Sequence, residues 1–110
     1  MLDAVKTREY EKAVIVDVGE QVIKEEKYNL FSDVLLAALD KDKDVGINLK
    51  SLSYINSRMI SILLLAAKEI HKHSKELYLI GASDKVEALL YVNGLDRIVF
   101  IVENEDNLVA

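Results

Sequence analysis

Three short apolar runs limit what this chain can fold into: AVIVDV at 13–18, DVGINL at 44–49 and ELYLIG at 76–81. A strand with one wet face alternates apolar and polar positions, whereas a strand covered on both faces reads as a nearly continuous apolar run. These runs are of the second kind, and Gly19 closes the first of them. Between them lie segments with helical spacing. In YNLFSDVLLAALDKD, residues Leu30, Phe31, Val34, Leu35, Ala38 and Leu39 gather on one side, with Asn29 as the expected N-cap. From about Ser57 to His73, residues Ile60, Leu63, Leu64, Ala67 and Ile70 or His71 share a face, with Lys68, Glu69 and Lys72 largely opposite.

The remaining segments fit the same alternation. SDKVEALLYVNG reads as a short helix, capped by Ser83 or Asp84 and ended by Gly94 in a left-handed conformation. RIVFIV (97–102) is expected to be a further strand, LDAVKTREY an edge strand beside 13–18, and ENEDNLVA a last short helix. EQVIKEEK, between Gly19 and Tyr28, reads as a polar loop. Strands alternating with helices imply parallel neighbours joined by right-handed crossovers. The expectation is one α/β domain over residues 1–110, with about five strands and the helices of 29–40, 57–73 and 84–93 packed on the sheet. Leu63, Leu64 and Ala67 should be buried, and Lys68 and Lys72 exposed.

Most chemistry is disfavoured. A net charge of -5 with lysines interleaved among acidic residues, as in KEEK and KDKD, does not make a nucleic-acid groove. The chain has no cysteine, hence no thiolate ligand or nucleophile. His71 and His73 are two apart on a helix and point to different faces, so no metal site is expected. Gly19, Gly46, Gly81 and Gly94 never cluster into a phosphate loop, and Ser57 sits in no GxSxG elbow. No catalytic residue and no cofactor are expected. The longest apolar run, ISILLLAA, falls far short of the roughly 20 residues that span a bilayer. MLDAVKTREYEK lacks the apolar core of a signal peptide, so a cytoplasmic location without membrane contact is expected.

The junction YINSRMIS stands out. One of Asn56 or Ser57 must satisfy free N–H groups at the start of the following helix. Arg58 falls in the first turn, where a cation opposes the helix dipole. Helix N-termini also receive anions, so a hydroxyl and an arginine there are consistent with an anion that is sometimes present.

The run from DVGINLKSLSYINSRMIS through VNGLDRIVFI, with the early VGE turn at 18–20, resembles the STAS domain of anti-sigma factor antagonists. The resemblance covers nearly the whole chain. It implies a mixed, about five-stranded sheet with helices packed mainly on one face. It also implies a regulatory protein-binding module, not an enzyme. Its partner would be an anti-sigma factor of the serine-kinase type, with a phosphatase reversing the modification. Ser57 takes the position of the serine that the kinase phosphorylates, and Glu20, Asn56, Ser57, Arg58 and an exposed Met59 would form the partner-binding surface. The sequence diverges around that motif. Asn56 stands for the family's Asp, Arg58 for its small residue and Met59 for its Gly, while no acid follows the early turn near Val22. The alternative is a STAS scaffold subunit of a larger bacterial signalling assembly, using the same face without phosphorylation.

Overall fold

In the computed structural model, which describes residues 4–110, five strands form one sheet. They are β1 (Val5–Glu9), β2 (Ala13–Val18), β3 (Asp44–Asn48), β4 (Leu77–Ile80) and β5 (Phe100–Val102). Their order in the sheet is their order in the chain, with β1 antiparallel to β2 and every later pair parallel. The helices are α1 (Gln21–Lys24), α2 (Tyr28–Leu39), α3 (Ser57–Lys72), α4 (Asp84–Val92) and α5 (Asp106–Val109).

Strand order decides where the helices go. A right-handed crossover that always steps the same way along the sheet lays each helix on the same face. The main core lies on that face. Val14, Val16, Val45, Ile47, Leu77 and Leu79 from the sheet meet Phe31 and Leu35 of α2, Leu63, Ala67 and Ile70 of α3, and Val86 and Leu90 of α4. Lys68 and Lys72 are exposed, as the helical phase requires. Leu64 is only half-buried, because it lies at the edge of that face and not at its centre.

The opposite face of the sheet is covered differently. Ile15 and Ile80 are fully buried there, and Gly46 leaves the space in which Leu108 of α5 sits. A Cβ on Gly46 would stand 2.6 Å from Ile80 Cδ1, 2.9 Å from Ile15 Cδ1 and 3.2 Å from Leu108 Cδ2. Arg8 ties the C-terminal segment down. Its Nε and Nη2 each donate to Asp17 at 2.8 Å, while Nη1 and Nη2 donate to Glu105 at 2.6 and 2.8 Å. Asn48 Nδ2 adds a bond to Asp17 at 2.7 Å. Asp17 is therefore a counter-charge within the fold. Burial alone would raise its pKa, but hydrogen bonds from Arg8 and Asn48 outweigh burial and hold it below the ordinary carboxylate value. Arg8 likewise lowers the pKa of Glu105, burial opposing.

Several boundaries differ from expectation. The segment expected to be a polar loop contains α1, because Val22 and Ile23 are buried and fold the chain into one turn. α2 starts one residue before Asn29, with Lys27 at its N-cap position and no side-chain cap, so Asn29 lies inside the first turn. β5 is confined to Phe100–Val102, and Leu95–Arg97 forms a 3-10 turn after Gly94, whose φ of 76° is the left-handed value anticipated. Ser83, not Asp84, caps α4, accepting from Val86 N–H at 3.3 Å. The edge strand expected from Leu2 begins at Val5, and residues 1–3 lie outside the described residues.

Two outcomes follow from this packing. Leu63→Ala should cost about 2–5 kcal/mol in urea-melt stability, as buried leucine truncations do. Glu105→Gln should remove stability near neutral pH. Since Glu105 titrates below its ordinary value in the folded chain, its contribution is present above the unfolded pKa and lost as pH falls through the folded one. Urea melts taken from neutral pH down to about pH 3 should show wild type and Glu105→Gln converging in acid.

Candidate functional site

Parallel strands joined on one face bring every helix N-terminus to the same rim, at the strands' C-terminal ends. The first turns of α2 and α3 meet there. Asn56 has an extended backbone (φ −123°, ψ 179°), and its Oδ1 accepts from Met59 N–H at 3.0 Å. Its backbone carbonyl takes Ile60 N–H at 3.0 Å. Asn56 is thus the N-cap of α3, which resolves the choice between it and Ser57. Asn56 Nδ2 also donates to the hydroxyl of Tyr28 at 2.8 Å, joining two helices whose first residues are far apart in sequence.

Tyr28 is buried, and its ring serves a second residue. The guanidinium carbon of Arg58 stands 4.8 Å from the ring centroid. A cation–π contact of this type contributes about 0.5–1 kcal/mol when exposed. That is comparable to what a cation loses by facing a helix N-terminus. Arg58 is therefore satisfied without an anion.

Ser57 is the first residue of α3 and is exposed. Among the described residues its hydroxyl makes no hydrogen bond, since the capping position is already filled. It faces a cleft of about 410 Å³ between α3 and α4, with Ile60, Ser61 and Leu64 on one wall and Leu89 and Asn93 on the other.

The remaining two residues of the expected surface behave differently. Met59, expected to be exposed, is fully buried. It lies four residues before Leu63 on the same stripe of α3, so the helical phase that buries Leu63 buries Met59 as well. It cannot present a side chain to a partner in this conformation. Glu20 is half-buried and pairs with Lys24 at 2.7 Å, which lowers its pKa. It lies beside Ser53, in the middle of the 50–56 loop and four residues before Ser57. Tyr28 was missed from the sequence, although the rule that puts both helix starts on one rim would have placed it near Asn56.

The pattern of the STAS domain family matches residues 4–108, and the chain belongs to the STAS domain family. Among curated proteins it is 28% identical over 67 residues to the anti-sigma-B factor antagonist of Staphylococcus aureus (strain NCTC 8325 / PS 47). The matched stretch covers 61% of this chain and 62% of that relative. Among solved structures, an anti-sigma-factor antagonist (STAS) domain protein from Planctomyces limnophilus superposes with a TM-score of 0.82 at 16% identity, covering 96% of this chain and 94% of that one. A chain of the stressosome, described as a signal integration and transduction hub, gives a TM-score of 0.75 at 18% identity over 94% of this chain and 91% of its own. At such identities the two structures establish the fold alone.

Division of labour between Asn56 and Ser57 has a direct test. Asn56→Ala removes a cap and strips the Tyr28 hydroxyl of its partner, so a loss of about 1–2 kcal/mol is expected. Ser57→Ala should stay within about 0.5 kcal/mol of wild type. Chemical denaturation giving the reverse order would make Ser57 the cap.

Proposed function

We propose that this chain is an anti-sigma factor antagonist: a cytoplasmic regulatory binding protein that sequesters an anti-sigma factor of the serine-kinase type through the rim around Ser57. Phosphorylation of Ser57 by that kinase releases the complex, and a phosphatase resets it. The observation that carries this reading is the free hydroxyl. Asn56 caps α3, so Ser57 is exposed, unbonded among the described residues, and open to a partner's active site. Membership of the STAS family and the similarity to an anti-sigma-B factor antagonist support the partner class.

The sign of the switch follows from charge. A phosphate brings about −1.5 to −2 charges to a helix N-terminus, which tolerates an anion well in the free protein. A partner docked over the cleft beside it would have to strip that anion of water, at a cost of several kcal/mol unless fully paired. Arg58 can leave the Tyr28 ring and pair with the phosphate, which moderates the penalty.

Two observations favour a second reading, a STAS scaffold subunit that binds without being phosphorylated. Asn56 carries no charge where the family's motif has an acid, and Arg58 is already occupied by Tyr28. Incubation with the cognate kinase and ATP, followed by mass-spectrometric mapping, separates the two. Phosphate on Ser57 is expected. Label only on Ser32, Ser51, Ser53, Ser61, Ser74 or Ser83 rules the switch out, and an unlabelled chain that still binds its partner points to the scaffold.

A further inference from the structure

The segment that follows β5 is tied to the functional rim from beneath the sheet. α5 buries none of its own residues. Two points hold it: Leu108 in the space over Gly46, and Glu105 on Arg8. Neither makes detachment costly. Leu108 is only half-buried. Arg8 also donates to both oxygens of Asp17 and, at 3.1 Å, to the Tyr10 hydroxyl, so it stays paired when Glu105 leaves. Opening of α5 leaves no buried charge alone, and segments of this kind open locally at far lower free energy than the whole fold.

The contacts beyond Arg8 lead to the loop that carries the site. Asp17 takes Asn48 Nδ2 at 2.7 Å, and Oδ1 of the same amide accepts Lys50 N–H at 3.0 Å. Lys50 begins the 50–56 loop, which ends in the cap of α3. Its side chain lies along Gly81, whose φ is 69°, and a Cβ there would stand 2.4 Å from Lys50 Cγ. Gly81 N–H donates in turn to the carbonyl of Val102, the last residue of β5, at 2.9 Å. The charge of Lys50 adds to that of Arg8 in holding the Glu105 pKa below its ordinary value. The contacts thus run in a circuit. They pass from Glu105 through Arg8, Asp17, Asn48, Lys50 and Gly81 back to Val102, where the segment leaves the sheet.

We propose that the segment after Val102 is a latch on the 50–56 loop. Closed, the circuit fixes the first residues of the loop; open, it frees them, so latch and loop open as one cooperative unit. Leu52 and Ile55 are buried and keep the rest of the loop on the core. Opening therefore loosens the site without dismantling it. The consequence for a partner rests on the function proposed above, whereas the coupling does not, and its test needs no partner.

Amide hydrogen exchange followed by NMR on the full chain reads the two parts separately. Leu108 and Val109 N–H, bonded to the Glu105 carbonyl at 2.9 and 3.2 Å, report the latch. Lys50 and Leu52 N–H, bonded to Asn48 Oδ1 and the Leu49 carbonyl, report the loop. Leu63 N–H, inside α3, reports global unfolding. Leu108→Ala loosens the latch over Gly46, and Glu105→Gln weakens it at Arg8. Each should speed exchange at Lys50 and Leu52 at least roughly threefold beyond any change at Leu63. Coupling is reciprocal, so Lys50→Ala should speed exchange at Leu108 and Val109. Latch amides that speed up alone overturn the proposal. Acceleration equal at the loop and at Leu63 overturns it too, because it marks lost global stability only. So do latch amides that ignore Lys50→Ala. Glu105→Gln leaves the Leu108 contact in place, so the test stands even where Leu108→Ala fails to fold.

Discussion

The strands enter the sheet in the order in which they leave the chain, and that one regularity organises the rest of the molecule. Because each right-handed crossover steps in the same direction, α2, α3 and α4 have only one face of the sheet available to them. Their N-termini then line a single rim, and their outer sides lie next to one another. The contact between Tyr28 and Asn56 at 2.8 Å is a product of that arrangement, and so is the cleft between α3 and α4. Among the described residues the sheet's other face has no helix of comparable length. It is closed by the four residues of α5, held by an arginine with two carboxylates and seated over a glycine.

At the rim, the energetics are balanced rather than strong. The Asn56 cap stabilises α3 by about 1 kcal/mol. The repulsion of Arg58 by the helix N-terminus and its attraction to the Tyr28 ring are each about half to one kcal/mol, so they nearly offset. An arginine held so weakly can be recruited by a stronger ligand. Charge-assisted hydrogen bonds to a phosphate, at about 1.5–3 kcal/mol, exceed what the ring supplies.

The parallel strands were legible because burial on both faces writes itself into sequence as unbroken apolar runs, and α3 and α4 because their caps and apolar stripes agree. What failed has physical causes. Ile98 and Val99 are apolar and well covered, yet they lead out of a 3-10 turn, and apolarity does not distinguish a buried turn from a strand. α1 is four residues long and flanked by charges, too short for periodicity to reveal. The burial of Met59 was readable from its spacing to Leu63, but the motif resemblance drew it to the surface. Neither the Tyr28–Asn56 bond nor the Arg8–Glu105 pair, separated by 28 and 97 positions, leaves any local signal.

The central claim is that capping by Asn56 frees Ser57 to act as the contact that a partner reads. Equilibrium titration of the anti-sigma partner against wild type, Ser57→Ala and Ser57→Asp tests it most directly, with melts run in parallel. The account predicts that all three chains melt alike or, for Ser57→Asp, slightly higher, since an anion suits a helix N-terminus. It predicts near wild-type affinity for Ser57→Ala and at least a roughly tenfold loss for Ser57→Asp. Equal affinity for all three chains, or a loss in Ser57→Ala that tracks a lowered melting temperature, would contradict it.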